Sequence, residues 1–141
     1  MENKKEKLEK ILNGINILWV KSNSKKDLVT PYHTKFNCNM EYNGICYDFT
    51  YQCNLQYTKP TKNDLVACVL SDARCYESCK VNDDDDENIQ EFALEFGYEN
   101  NLKELLKAYK GCKEAYNVIK LMFTEEEKNM LEEYFQGEGM L

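Results

Sequence analysis

Cys75 and Cys79 form the pair in this chain whose spacing comes nearest to a ligand set. Four residues apart on a helix, they would point both sulfurs to one side. Cys68, about two turns earlier, would join them, and Cys112 or Cys53 could complete the four thiolates of a structural zinc site after folding. Against that reading, Cys-x₃-Cys is a loose spacing and no second close pair exists. Cys38, Cys53, Cys68 and Cys112 fall on apolar faces, where a free cysteine serves as a small apolar residue.

Other catalytic chemistry is sparse. The lone histidine, His33, stands on the solvent side of a strand, with no serine or cysteine at motif spacing for a nucleophile–base pair. Phosphate-cradling glycine loops and zinc-protease signatures are absent. Carboxylates are abundant, yet no pair stands out for acid–base work. The expectation is that the chain is not an enzyme.

The carboxylates themselves are unevenly placed. Between Glu77 and Glu99 lie nine acidic residues and one cation, Lys80. Four aspartates, Asp83, Asp84, Asp85 and Asp86, sit where a helix begins, and Glu87, Glu91, Glu95 and Glu99 follow at four-residue intervals. As a calcium loop the run fails, because the alternating aspartates, the glycine and the closing glutamate are missing. The plainer reading is a solvated helix start, in which the aspartates cap the helix and complement its dipole. The functional reading is a row of charge that repels nucleic acid and attracts proteins that bind it.

At 141 residues, one compact domain is expected. Residues 1–35 carry eight lysines and four acids, net +4. Residues 36–141 carry ten cations and twenty-one acids, net −11, giving −7 overall. A basic arm before an acidic body follows. No segment approaches the roughly 20 apolar residues of a membrane span, and the start lacks a secretion signal. Seven cysteines then read as reduced thiols in a cytosol.

The elements that must position these residues can be read from periodicity and punctuation. Leu8, Ile11, Leu12, Ile15 and Leu18 or Trp19 predict an amphipathic helix over 4–19, within an arm of residues 1–27. A single α+β domain over 28–141 follows. Asn43-Gly44 demands a two-residue type I′ hairpin within 32–57, pairing Tyr42 with Ile45, Met40 with Tyr47, Cys38 with Phe49 and Phe36 with Tyr51. Thr61 and Asp64 cap a helix over about 62–70. Further helices are expected at about 86–96, closed by Gly97, at 102–122 and, behind the box Thr124–Glu127, at 125–136. The plan is an antiparallel hairpin or small sheet packed with four to five helices.

The strand Tyr47-Asp48-Phe49, the run Pro60-Thr61-x-x-Asp64-Leu65-Val66-Ala67-Cys68, Phe92-x-x-Glu95-Phe96-Gly97-Tyr98 and Phe123-Thr124-Glu125-Glu126-Glu127 together resemble a group of small proteins. That group is encoded by phages and mobile elements of low-GC Gram-positive bacteria. The resemblance covers about two-thirds of the chain, and its motifs are mostly structural. Size, acidity and setting are similar to those of anti-CRISPR and other anti-defence proteins. The resemblance implies a stoichiometric inhibitor of a host nuclease complex and carries over no catalytic residue. Between Arg74 and Asn88 the chain departs from the group, whose members are shorter there.

The expectation from these readings is an anti-CRISPR inhibitor that binds a Cas9-like effector, with no direct nucleic-acid or membrane contact. Asp83, Asp84, Asp85, Asp86, Glu87, Glu91 and Glu95 would touch the effector's positively charged channel. The alternative is a zinc-stabilised adaptor in which Cys75, Cys79 and Cys68 anchor the insertion. A third possibility is a small enzyme using an unrecognised thiol or carboxylate.

Overall fold

The computed structural model describes residues 3–21, 33–54, 60–97 and 101–141, without the side chains of His33, Cys53 and Asn54. In order, the elements are α1 (Lys4–Gly14), β1 (Asn16–Lys21), β2 (His33–Tyr42), β3 (Ile45–Asn54), α2 (Lys62–Cys79), α3 (Asp85–Phe96), α4 (Leu102–Met122) and α5 (Glu125–Gly137). The three strands form one antiparallel sheet in the order β1-β2-β3, so the fold is α+β. The chain divides into two compact units, Met1–Cys68 with Met122–Leu141, and Val69–Leu121.

In the first unit, the β2–β3 hairpin turns on Asn43 and Gly44, whose φ angles are 52° and 79°. Both positive values are what a type I′ turn requires. The register is the expected one: Tyr42 opposes Ile45, Met40 opposes Tyr47, Cys38 opposes Phe49 and Phe36 opposes Tyr51. Phe36, Cys38 and Met40 are buried along one face, while Asn37, Cys46, Asp48 and Thr50 meet solvent.

Residues 4–19 do not form one helix. α1 stops at Gly14, where the Ile15 N–H bonds the carbonyls of Ile11 and Leu12. The chain then extends, and β1 pairs with β2, setting Ile17 opposite Met40 and Trp19 opposite Cys38. The segment Ile15–Val20 is rich in β-branched and aromatic residues, which pack well on a pleated surface. Gly14 has a steric reason: a Cβ there would lie 3.1 Å from the Tyr42 ring. Residues 16–21 of the basic arm are thus part of the sheet. Lys4 reaches Glu133 at 2.8 Å and Lys7 reaches Glu126 at 3.7 Å, both on α5.

The helix ends follow their cap residues. Thr61 Oγ accepts from the Asp64 N–H at 3.1 Å, and Asp64 Oδ2 accepts from the Thr61 N–H at 2.9 Å, a reciprocal capping box at the start of α2. At α5 the same box joins Thr124 and Glu127. Here it is extended, because the Tyr42 hydroxyl also donates to the Glu127 carboxylate and the Tyr42 ring stacks on Phe123 at 4.6 Å. Leu131 and Phe135 on α5 are fully buried.

In the second unit, Tyr76, Cys79, Phe92, Leu105, Tyr109 and Cys112 form a continuous core. α2 supplies two of these because it runs to Cys79, nine residues beyond the end expected at 70. No glycine or proline interrupts 62–79, and the apolar rhythm Ala73, Tyr76, Cys79 carries the helix past the weak formers Ser71 and Asp72. Gly97, at φ 76°, closes α3 with its N–H on the Ala93 carbonyl. Leu106 on α4 and Phe96 on α3 are partly exposed, at 43 % and 39 %.

The Glu127 carboxyl gives the first unit a pH signature. Burial acts to raise its pKa, but hydrogen bonds from the Thr124 backbone N–H and the Tyr42 hydroxyl hold it below the ordinary 4.5. A depressed carboxyl contributes stability above its unfolded pKa and loses it as pH falls through the folded value. Urea midpoints measured from neutral to acid pH should therefore fall on the acid side. The Glu127→Gln variant, which keeps a capping amide, should show a shallower acid limb; an unchanged limb would remove Glu127 from the account.

Candidate functional site

The acidic residues of 83–95 lie at the start and along the outer side of α3, and all seven singled out from the sequence are exposed. Their backbone is set by a residue that sequence reasoning did not single out. Asn88 is buried, at 1 % exposure, in the second turn of α3. Its side-chain oxygen accepts from the Val81 N–H at 2.8 Å and the Asn82 N–H at 3.4 Å, and its amide nitrogen donates to the Asn82 carbonyl at 2.9 Å. One side chain thus satisfies three polar groups of the turn between α2 and α3. The only signal in the sequence was a polar residue beside Ile89 on the helix, which by itself reads as surface.

Several of the acids have local duties. Asp84 is the N-cap, its carboxylate accepting from the Asp86 N–H at 2.9 Å. Its own N–H is taken by the Asn82 side chain at 2.6 Å. Asp85 receives Lys113 Nζ at 2.8 Å and the Tyr109 hydroxyl at 2.7 Å, both from α4. Those two donors hold the Asp85 carboxyl below the usual range, and Asp85 in turn raises Lys113. Asn82 donates to Glu87, and Lys80 stands 3.8 Å from Asp83. Glu95 accepts from the Cys79 thiol at 3.2 Å. Among the described residues, Asp86 and Glu91 have no such partner. The row is therefore divided: Asp84 and Asp85 build the helix start, while Asp83, Asp86, Glu87 and Glu91 present charge outward. Glu99 lies outside the described residues.

The thiols of the second unit gather in its core. Cys79 and Cys112 are buried there, and the half-buried Cys75 packs against them. The expected i, i+4 alignment on one helix face is realised. Burial pushes the Cys79 thiol up to about 11, with Glu95 adding to the rise. Cys112 is raised by its hydrogen bond with Cys75 and by burial. That same bond draws Cys75 down, against burial and the nearby Asp72 and Glu95 charges. Cys68 lies earlier on α2, in the stretch assigned to the first unit, and the Cys53 side chain is outside the description. Among the described residues, no three His, Cys, Asp or Glu side chains converge as a metal ion needs. The His33 side chain is likewise not described.

The first unit offers a different surface. On edge strand β1, Leu18 and Val20 are 76 % and 66 % exposed, beside an open hollow of about 480 Å³ reaching across β2 to Phe49 and Thr50. Its lining is mostly apolar, with no titratable cluster.

Among the described residues, no helix is long and apolar enough to cross a membrane. No family model, no curated protein and no solved structure matches the chain.

Asn88 should dominate the stability of the turn. Asn88→Ala leaves the Val81 and Asn82 groups without their partner, a loss of about 2 kcal/mol on the scale of unsatisfied buried polar groups. Urea unfolding followed by circular dichroism measures it. A loss no larger than that of an exposed substitution such as Glu91→Ala would contradict the assignment.

Proposed function

We propose that this chain is a stoichiometric, non-enzymatic inhibitor that binds a nucleic-acid-binding protein through the acidic start and outer side of α3. The supporting observation is the outward row Asp83, Asp86, Glu87 and Glu91, carried on a helix start anchored from beneath by Asn88. A preorganised row of carboxylates suits a surface evolved to hold phosphates, because both present fixed negative charge to the same lysines and arginines. Direct nucleic-acid binding is disfavoured by the same charge.

The partner class proposed is a Cas effector of the Cas9 type, in the host-cell cytosol. Such effectors hold their heteroduplex in a positively charged channel, and the resemblance to phage-encoded anti-defence proteins points the same way. In this mechanism the helix occupies part of that channel and blocks nucleic-acid loading or cleavage. Glu95 adds charge at the far end of the row, while its bond to Cys79 keeps it in place. Asp84 and Asp85 serve the site by shaping it.

The test is binding to purified effector by the parent chain and by a variant with Asp83→Asn, Asp86→Asn, Glu87→Gln and Glu91→Gln. These positions leave the Asp84 cap and the Asp85–Lys113 pair intact. Affinity should fall roughly tenfold or more, and the parent's affinity should fall with rising salt. A variant that binds and inhibits like the parent sinks the charge-based mechanism. One equivalent of zinc in the purified chain, lost in Cys75→Ser, would move the reading to the metal-stapled adaptor.

A further inference from the structure

The first unit carries a second charged surface, and this one holds both signs. α1 has four lysines against two glutamates, while α5 has five glutamates against one lysine. The two helices run antiparallel, bridged by Lys4–Glu133 and Lys7–Glu126. Between them lies an open groove of about 570 Å³. Lys4 and Lys5 line it from α1, and Glu133 and Glu138 line it from the end of α5. Leu8, Met130 and Tyr134 lie half-buried along it. Lys4 is thus paired across the groove, whereas among the described residues Lys5 and Glu138 have no ionic partner.

We propose that this groove is a homodimer interface, filled by the same groove of a second copy of the chain. Charge selects that occupant. A simple anion drawn to Lys4 and Lys5 also meets Glu133 and Glu138, and a simple cation meets the reverse. A matching occupant must carry both signs, side by side, along an apolar strip. A second copy does so by symmetry.

A two-fold axis lying along the groove turns the acidic side of one protomer over the basic side of the other. Each α1 then packs antiparallel on α5 of the second copy, as it already does on its own. Lys5 of each protomer faces Glu138 of the other, so the contact is made twice. Leu8, Met130 and Tyr134 lose their remaining exposure to water, which favours association. The interface does not depend on what the acidic side of α3 binds.

The experiment is sedimentation equilibrium of the full chain under reducing conditions, which exclude a cross-link through exposed Cys46. The mass should rise with concentration toward twice the 16.6 kDa of one chain, and fall back as salt is added. Lys5→Glu and Glu138→Lys should each weaken association roughly tenfold or more, because each sets like charges together twice. Mixed one to one, the two variants should recover it, since every contact then joins opposite signs. Both side chains are exposed and unpaired within the described residues, so neither variant removes a contact of the fold. A chain that stays monomeric at every concentration and salt overturns the proposal. Association that neither reversal weakens, or that mixing fails to restore, overturns it equally.

Discussion

The acidic end of α3 depends on one buried amide. Asn88 turns inward from the helix and satisfies the Val81 and Asn82 backbone groups in the turn that precedes it. A polar side chain at 1 % exposure is tolerable only because its hydrogen bonds are made, and once made they leave the turn few alternatives. The Asp84 cap and the Asp85 contacts with Tyr109 and Lys113 follow from that placement. The outward-facing aspartates and glutamates are thus carried by a short hydrogen-bonded scaffold rather than by a loose charged loop.

Charge in this region has two uses, and the structure separates them residue by residue. Asp84 and Asp85 neutralise the orphan N–H groups and partial positive charge of a helix start, or tie that helix to α4. Asp86 and Glu87 also lie in the first turn of α3, but with Asp83 and Glu91 they remain in solvent, where mutual repulsion costs the fold something unless a partner relieves it. That imbalance is the physical basis of the binding reading.

Features specified by neighbouring residues were legible in the sequence. Asn43-Gly44 and the alternation around it determine the hairpin and its register, because turn geometry and side-chain period act within a few residues. The boxes at Thr61–Asp64 and Thr124–Glu127 and the Gly97 cap are local in the same sense. What escaped was decided at a distance. Ile11, Ile15 and Leu18 keep helical spacing, so only the pairing of Ile17 with Met40 and Trp19 with Cys38 shows that β1 is a strand. α2 continues to Cys79 because Tyr76 and Cys79 find Phe92, Tyr109 and Cys112. The acidic cluster was visible as a run of letters. Its division into structural and outward-facing members was not, because Lys113 lies 28 residues from Asp85 and nothing local marks Asn88 as buried.

The central claim is that the outer side of α3 competes with nucleic acid for a basic surface. It is tested most directly by binding the chain to a purified Cas9-type effector, first empty and then preloaded with guide RNA and target DNA. The account predicts tight binding to whichever state leaves the positive channel open, and displacement as nucleic acid fills it. Equal affinity for empty and fully loaded effector, with no displacement in either direction, would contradict it.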